Sequence, residues 1–441
     1  MSLSRRALLG SVAAVAAVAA TGIRSGTAAS APGPTADRTV TFTAKPSAEA
    51  ERLRLAQALR ATDFESTGYY LPPNTPLAVT VHRGPVVPAL HIGAPDADDA
   101  AKAPRSYPLA VGANTVSDPH GGMVYLSAVG HGEPVAVTLG GAAQPVPYFR
   151  LGHTSNAEFR RQLDQRITPW AELTADHVIL TVQLDSARQY ADQDQSGLLA
   201  LFARIVAVED ATSGLDGRHP IDRRNAHPYH FVNITATGPG VAAYTSHGYM
   251  AFPNSYLDRL LVLDALRTNG WGMWHELGHE HQQFAYKPAV LTEVSVNLYA
   301  LAVGRALGDQ PRLTVPDSKT GLTPYQSALP KLGTAGVDYA STFGAYEKLV
   351  MLNQLTLGFG ADFWPRLHRL IRRENPPTEW DAPDATEVRF GYLAVYTSRV
   401  AGADLTAFYD RWGVPLTDDA RAAVAALGLP APTVDPSTLH E

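Results

Sequence analysis

The sequence predicts an α+β fold in which an N-terminal antiparallel β-domain precedes a mixed α/β region and a helical C-terminal part. Two differences in pattern along the chain support this order. Residues 67–153 contain short β-prone runs separated by Gly, Pro and Asn, which is typical of a small antiparallel β-domain. Residues 255–440 instead carry mostly helical patterns and no convincing strand. A chain of 441 residues can bury large cores, and its length suggests about three domains.

Residues 1–29 are predicted to be an export signal. Arg5 and Arg6 stand as a pair ahead of a small apolar run, 7–20, and small residues follow at 27–29 where a signal peptidase would cut. The paired arginines indicate the twin-arginine route. The apolar run is shorter than the ~20 residues needed to cross a bilayer. No later apolar run approaches that length, so we expect a secreted, extracellular protein without a membrane span.

The next segments define the start of the predicted β-domain. Residues 30–46 are small, polar and Pro-containing, and we predict a linker there. The β-rich N-terminal domain is expected over 47–155. It opens with a helix that begins at Ser47 and carries leucines on one side, followed by short strands. The leucines are Leu53, Leu55 and Leu59, and the predicted strands are 77–82, 86–92, 122–129 and 134–139.

Two further units follow this domain. We predict a mixed α/β unit over 156–310 and a helical C-terminal subdomain over 311–441. The mixed unit combines β-prone runs with longer helical patterns. Its predicted helices are 156–166 and 197–208, and its predicted strands are 177–182 and 231–236.

Composition excludes several classes of function. The formal net charge is -6, and an acidic protein is a poor partner for nucleic acid. Cysteine is absent, so disulfides, thiolate metal sites and cysteine nucleophiles are all excluded. Any transition-metal site must therefore be built from histidine and carboxylate side chains.

One pentapeptide carries the chemistry that composition allows. Residues 275–279 read His-Glu-Leu-Gly-His. Each residue of a helix turns by ~100°, so His275 and His279 would lie ~40° apart on one face and could reach a single Zn²⁺. Glu276 would then stand beside the metal, where a carboxylate can take a proton from the attacking water.

A third ligand is needed for a catalytic zinc site. The metzincin pattern fails, because its following positions are occupied by Gln282 and Ala285. In the gluzincin arrangement a Glu from a later helix completes the site, and Glu293 is the only carboxylate between His281 and Gly308. Glu293 lies in a helical run that follows Pro288, which we expect to end the first helix and let the chain reverse. This predicts a zincin-type α/β catalytic domain.

Asn297 lies one turn beyond Glu293 on the same predicted face. Its amide could bond the far nitrogen of a ligand histidine and hold that ring in place. A polar residue that merely faces solvent is the alternative.

The sequence around these residues resembles a known family. The stretch Glu-Leu-Gly-His-Glu-His-Gln after His275, with Thr-Glu-Val-Ser-Val-Asn-Leu-Tyr-Ala-Leu from Thr292, resembles the enhancin-like metallopeptidases. This gluzincin family includes viral enhancins and bacterial mucin-degrading proteases. The resemblance implies an endopeptidase for heavily glycosylated proteins such as mucins, with zinc on His275, His279 and Glu293 and Glu276 as the base. Similar stretches extend it over about residues 60–430, at 67–73, 121–125, 170–173, 404–409 and 412–413.

Residues 240–250 precede the predicted zinc-binding helix and leave two interpretations open. Zincins often lay substrate along an edge strand placed there, pairing main chain with main chain. A plain Gly-containing loop is the alternative. Tyr244 and Tyr249 in this stretch are the candidate substrate-binding residues. Together with Tyr346, they are also candidates for the donor that stabilises the oxyanion.

Two other features are given structural interpretations. Residues 192–203 open like a calcium-binding loop, but Ala203 stands where a bidentate Glu is needed, so we favour a structural turn. Arg372 and Arg373 are predicted to lie on a solvated helix face.

These patterns predict an exported zinc endopeptidase that binds one Zn²⁺ per chain and takes a peptide or an O-glycosylated protein as substrate. Two alternatives stay open: a secreted glycan-binding protein whose zinc site is vestigial or structural, and a zinc hydrolase acting on a non-peptide bond. The intact Glu276 favours an enzyme, because a structural zinc site needs no base. The sequence makes no prediction of oligomeric state.

Overall fold

The N-terminal part is a sandwich of two antiparallel sheets. The computed structural model describes residues 38–95, 101–236, 240–379, 382 and 385–441. The strands of the sandwich are β1 Thr39–Thr43, β2 Glu65–Leu71, β3 Leu77–Val81, β4 Ala89–Ile92, β5 Arg105–Pro108, β6 Gly112–Val116, β7 Gly122–Ser127, β8 Pro134–Leu139 and β9 Gln144–Pro145. One sheet has the order β1-β8-β3-β6 and the other β5-β4-β7-β2-β9. Alternate apolar side chains of both sheets, such as Val79 and Leu90, meet in a common core, as the two-residue period of a strand requires.

The predicted linker over 30–46 is wrong for its last residues. Residues 39–43 form β1, which pairs with β8 from Thr39 opposite Thr138 to Thr43 opposite Pro134. Val40 and Phe42 are buried between threonines, so this short run has the period-two pattern of a strand. The predicted signal over 1–29 lies outside the described residues.

The predicted helix at Ser47 is present but shorter than expected. Helix α1, Ala48–Leu55, begins after Ser47, whose hydroxyl accepts a hydrogen bond from the Ala50 amide. It ends at Leu55 because Ala56 adopts the left-handed conformation, with φ of 55°. Leu59 therefore lies beyond the helix, and Leu53 is 57% exposed. The predicted apolar face of three leucines does not form.

A mixed six-stranded sheet forms the second layer of structure. Its strands are β10 Tyr148–Arg150, β11 Trp170–Ala175, β12 Val178–Gln183, β13 Tyr229–Asn233, β14 Tyr244–Ser246 and β15 Tyr249–Phe252, in the order β10-β11-β12-β13-β15-β14. Its helices are α2 Asn156–Gln165, α3 Leu184–Gln189, α4 Gln195–Thr212, α5 Leu257–Leu261, α6 Leu263–Asn269 and α7 Trp271–His281. Phe202 of α4 and Leu277 of α7 share one core with Phe231 and Met250 of the sheet. Helix α7 therefore packs on one face of the sheet. Strand β14 is the last strand at one edge of the same sheet.

The segment that resembles a calcium loop forms the start of α4. Asp194 is the N-cap residue, and its carboxylate accepts a hydrogen bond from the Gly197 amide at 3.1 Å. An Asp at this position satisfies an amide that the helix would otherwise leave unpaired, which is a structural role for the residue.

The C-terminal part is helical, as predicted. Its helices are α8 Thr292–Ser295, α9 Asn297–Leu307, α10 Pro324–Ala328, α11 Tyr339–Thr342, α12 Ala345–Phe359, α13 Phe363–Glu374, α14 Ala385–Ala401, α15 Thr406–Arg411 and α16 Asp418–Ala425. Phe363, Leu393 and Trp412 lie in its core. One apolar stretch is longer than we expected from the sequence. Among the described residues, Ala289–Leu307 is long and apolar enough to cross a membrane, and more than half of it is buried inside the protein.

Arg372 joins this helical part to the rest of the molecule, and its predicted solvated position is wrong. Arg372 is 3% exposed and pairs with the buried Asp222 at 2.9 Å. It also donates hydrogen bonds to the main-chain oxygens of Ser213 and Gly214. Another segment covers this face of α13, which helical periodicity within α13 alone does not reveal.

Candidate metal centre

Helix α7 presents the His-Glu-x-x-His residues and ends before the expected position. It stops at His281, because Gln282 adopts an extended conformation. The prediction that Pro288 ends this helix is therefore wrong. Residues 282–284 instead run beside 56–58, and the Ala58 amide donates to the Gln282 carbonyl at 2.8 Å. The chain then reverses through a short 3-10 turn, Ala289–Leu291, into α8, which brings Glu293 back to α7.

Two histidines and one glutamate converge at this reversal. The rings of His275 and His279 have centroids 5.0 Å apart on one face of α7. Glu293 Oε2 lies 3.0 Å from His275 Nε2 and 3.5 Å from His279 Nε2. One ligand atom from each of the three residues falls within 4.8 Å of the others. The structure therefore brings together the three residues that the sequence singled out.

A side-chain amide holds each imidazole from behind. His275 Nδ1 lies 2.9 Å from Asn297 Oδ1, which is the contact anticipated for Asn297. His279 Nδ1 lies 2.9 Å from Gln282 Oε1, a contact that the sequence reasoning missed. An amide oxygen accepts a hydrogen bond from Nδ1–H, so this arrangement leaves the Nε2 lone pair of each ring facing Glu293.

The two amides are themselves fixed by the segment that carries Glu293. Asn297 Nδ2 donates to the Glu293 carbonyl at 3.0 Å, and Gln282 Nε2 donates to the Thr292 carbonyl at 2.8 Å. Each histidine orientation is thereby tied to the position of α8. The sequence feature that could have identified Gln282 is its position three residues after His279, immediately after the end of α7.

Glu276 lies beside the cluster and is 7% exposed. Burial raises its pKa above that of an ordinary glutamate, and a hydrogen bond from the Thr245 hydroxyl opposes this rise. That bond measures 2.7 Å from Thr245 Oγ1 to Glu276 Oε2. The imidazoles of His275 and His279 beside Glu293 hold its pKa well below its usual range. The two glutamates therefore differ in basicity, as distinct roles require.

The open question about residues 240–250 resolves in favour of the edge strand. Residues 244–246 form β14, which pairs antiparallel with β15 through Thr245 opposite Met250. Tyr244 and Tyr249 lie on the face of the sheet opposite Thr245. Their hydroxyl oxygens lie 3.4 Å apart, and both rings pack against a small cluster that includes Val232.

Tyr346, the third candidate for an oxyanion donor, packs against the first turn of the motif helix. Its ring centroid is 6.1 Å from that of Trp271, one turn of α7 before His275. Its hydroxyl accepts a hydrogen bond from Arg312 at 3.4 Å.

The donor set fits a zinc ion. Two imidazole nitrogens and one carboxylate oxygen, with a position left open for water or substrate, form the arrangement of catalytic zinc sites. Both imidazoles have the outer hydrogen bonds that usually accompany metal ligation. Glu276 supplies a carboxylate beside the three ligands but outside the set.

Comparison with known families agrees with this geometry. Residues 142–413 match the family model described as peptidase M60, enhancin and enhancin-like, and residues 46–156 match the N-terminal domain of M60-like peptidases. Human TRPM8 channel-associated factor 2 is 26% identical over 300 residues, which cover 67% of this chain and 30% of that protein. The chain thus spans about a third of the curated relatives that it matches.

Solved structures show the same fold. A conserved protein of unknown function from Bacillus anthracis is 28% identical, with a TM-score of 0.80 over 91% of this chain and 81% of that one. The M60 catalytic domain of Clostridium perfringens ZmpC, solved in complex with the sialyl T antigen, is 16% identical. Its TM-score is 0.74 over 91% of this chain and 82% of that one.

Proposed function

Because the chain belongs to the peptidase M60, enhancin and enhancin-like family, we propose that it is a zinc-dependent endopeptidase that cleaves O-glycosylated proteins. The observation that carries this proposal is the convergence of His275, His279 and Glu293, with an amide oxygen behind each histidine and Glu276 alongside. In this assignment the three residues hold one zinc ion per chain, and Asn297 orients His275.

The chain's own residues supply the proton transfers. A bound zinc ion would polarise the scissile carbonyl and lower the pKa of water to about 7. Glu276 accepts one proton from the water that attacks the carbonyl carbon, and then passes that proton to the leaving amine. Its burial and raised pKa favour both halves of this exchange, because a carboxylate of raised pKa takes the proton more readily and keeps it until the leaving amine accepts it.

The edge strand β14 offers main-chain groups along one side of the site. An extended substrate can add to such an edge by main-chain hydrogen bonds, which orient the scissile bond without requiring particular side chains. Tyr244 and Tyr249, the candidate substrate-binding residues, lie on the other face of the sheet and contact each other. Any contact they make with substrate would therefore be away from the cleaved bond.

The O-glycosylated substrate class rests on two supports. The motif stretches resemble those of mucin-degrading proteases, and the structurally similar ZmpC domain was solved with the sialyl T antigen. A bound glycan adds contacts beside the scissile bond, and binding energy from remote groups can raise kcat/KM.

The decisive experiment is mucin digestion by the parent and by Glu276→Gln, each with and without a chelator. We expect the parent to cleave and the chelator to abolish cleavage. The variant should retain zinc but lose about 10²–10⁴-fold in rate, because an amide cannot accept the water's proton. Cleavage by Glu276→Gln at the parental rate would reject Glu276 as the base.

The same assay with enzymatically deglycosylated mucin tests the substrate class. Slower cleavage of the stripped protein is expected. Faster cleavage would refute the glycan requirement and leave the peptidase intact. Binding of mucin without any cleavage would instead favour the alternative of a glycan-binding protein.

We also propose export by the twin-arginine route, on the strength of the paired Arg5 and Arg6 ahead of an apolar run. Replacing both by lysine should retain the precursor inside the cell. Undiminished secretion of the double variant would indicate the general secretory route.

A further inference from the structure

Thr245 is the residue of the edge strand that reaches α7. It lies at the centre of β14, opposite Met250 of β15. Met250 shares a core with Leu277 of α7, so this face of the two strands is turned toward the helix. Thr245 is half-buried there, while its neighbours Tyr244 and Ser246 point to the other face.

The Thr245 hydroxyl contacts two oxygen atoms of a single residue. Thr245 Oγ1 lies 2.7 Å from Glu276 Oε2 and 2.8 Å from the Glu276 main-chain oxygen. A threonine hydroxyl has one proton to donate and two lone pairs with which to accept. It can therefore donate to only one of these two oxygens at a time.

We propose that Thr245 is a positioning residue that holds the Glu276 carboxylate beside the three metal ligands; this rests on the proposed function. The hydroxyl donates to Oε2 and lies within hydrogen-bond distance of the main-chain oxygen of the same residue, so it ties the carboxylate to its own helix. Thr245 is itself fixed by the pairing of β14 with β15.

This arrangement stabilises one orientation of the base. Without the hydroxyl, the Glu276 carboxylate would lose the one side-chain hydrogen bond that it has among the described residues and could rotate about its own bonds. Hydrogen bonds to a charged group contribute about 1.5–3 kcal/mol, which corresponds to roughly a ten- to hundredfold change in rate.

Three variants separate positioning from a purely structural role. Thr245→Val keeps the size and β-branching of the side chain and removes the hydroxyl, whereas Thr245→Ser keeps the hydroxyl. Thr80→Val is the matched control, because Thr80 is an exposed threonine of β3 in the N-terminal sandwich. Each protein is assayed for kcat, KM, zinc content and melting temperature with a mucin substrate.

For Thr245→Val we expect kcat to fall about ten- to hundredfold, with KM and zinc content near the parental values. Thr245→Ser should recover most of kcat, and Thr80→Val should match the parent. Parental kcat in Thr245→Val would overturn the proposal, and so would equal losses in the valine and serine variants. A loss of kcat accompanied by a lower melting temperature in Thr245→Val alone would assign Thr245 a structural role instead.

Crystal structures of the parent, Thr245→Val and Thr245→Ser give a readout that does not depend on activity. The Glu276 carboxylate should leave its parental orientation in the valine variant and keep it in the serine variant. An unmoved carboxylate in Thr245→Val would overturn the proposal even if the protein cleaves nothing. A parent without hydrolysis would refute the proposed function, whereas an active parent matched by Thr245→Val would refute only the role of Thr245.

Discussion

His279 is held on both sides, with Gln282 at Nδ1 and Glu293 facing Nε2. Replacing it by alanine removes one of three ligands and the contact that Gln282 Oε1 makes with His279 Nδ1. We expect metal analysis to give about one zinc per chain in the parent and a sharp fall in His279→Ala. His153→Ala, which alters an exposed histidine far from the motif in sequence, should keep parental zinc. Equal zinc in all three proteins would reject the ligand assignment.

Glu209 is a buried carboxyl group whose two oxygens have no hydrogen-bond partner in the described part of the chain. Its nearest basic group is His281, with Nε2 at 4.0 Å from Oε2. Burial, together with the neighbouring Asp210 charge, raises the pKa of Glu209 well above the ordinary glutamate value. Ionising it in the folded protein is therefore costly, because an unpaired buried charge loses its hydration.

The pH dependence of stability follows from this shift. A raised native pKa means that the folded state binds the proton more tightly than the unfolded state. Its stabilising contribution is full below the ordinary glutamate pKa and is lost as pH rises toward the raised value. The Glu209→Gln variant carries no titratable group at this position. The difference between its unfolding free energy and that of the parent should therefore rise with pH by up to about 1.4 kcal/mol per pH unit across that window. Denaturant titrations at several pH values measure this difference.

A surface carboxylate provides the control for this series. Hydrogen bonds from Arg161 lower the pKa of the exposed Glu158. Glu158→Gln should therefore change the pH dependence in the opposite direction and only slightly, because solvent screens exposed charges. A change of the pH dependence in the same direction in both variants would contradict the assignment of a neutral, buried Glu209.

Helices α7 and α9 approach each other at Gly278, between the two histidines. A Cβ atom at Gly278 would lie 2.7 Å from the Val296 carbonyl oxygen and 3.2 Å from the Tyr299 ring. Such distances are shorter than van der Waals contact with main chain allows, so a larger residue must push the helices apart. Since Val296 and Glu293 belong to adjoining turns, this shift would also displace the third metal ligand.

Gly278→Ala is therefore expected to lower the unfolding free energy by about 1–3 kcal/mol and to weaken zinc binding. Gly304→Ala is the matched control on α9, because its new methyl group would meet nothing closer than 3.8 Å. The control should be neutral or more stable by up to about 1 kcal/mol, since alanine favours a helix over glycine. Melting temperature and zinc content measure both effects, and equal behaviour of the two variants would contradict this account.

At the scale of elements, the sequence predicts best what depends on local spacing. His275, His279 and Glu293 could be identified because helical periodicity places residues four apart on one face, and because Glu293 has no competing carboxylate nearby. Thr245 could not, since its contact with Glu276 joins residues 31 positions apart through the order of strands in a sheet. The sequence also could not show which side of the sheet Tyr244 faces, because that depends on how β14 pairs with β15.

Boundaries between parts of the molecule were less predictable. The order of β-sandwich, mixed sheet and helices follows from composition and periodicity. The covering of Arg372 by residues 213–222 does not, because the amphipathic pattern of α13 marks a polar face without showing whether protein or water meets it. For the same reason the strand at 39–43 was mistaken for a linker, since its partner β8 lies far along the chain.

Asp222 and its neighbours in the chain connect the C-terminal helical part to α1 near the N-terminus. Arg372 of the C-terminal part pairs with this buried carboxylate, and Arg54 of α1 donates to the main-chain oxygens of Ile221 and Arg223 beside it. Arg372→Leu leaves Asp222 buried with reduced compensation, and we expect a loss of about 3–5 kcal/mol in unfolding free energy.

The neighbouring arginine offers a matched control for this loss. Arg373 contacts the same carboxylate at 3.1 Å, but its side chain is 55% exposed. Arg373→Ala should therefore cost no more than about 1 kcal/mol. Denaturant unfolding of both variants makes the comparison, and similar losses would show that burial does not govern this contact.

The position of β1 determines how far the chain can be shortened from its N-terminal side. A chain beginning at residue 47 would lack β1 and leave β8 as the outer strand of its sheet. Its main-chain amides and carbonyls would then stand unpaired beside the apolar Val135 and Val137, an edge along which further copies can add and aggregate. Retaining residues from 38 onward keeps this edge covered by its own threonine-rich strand, whose alternate hydroxyl groups face outward.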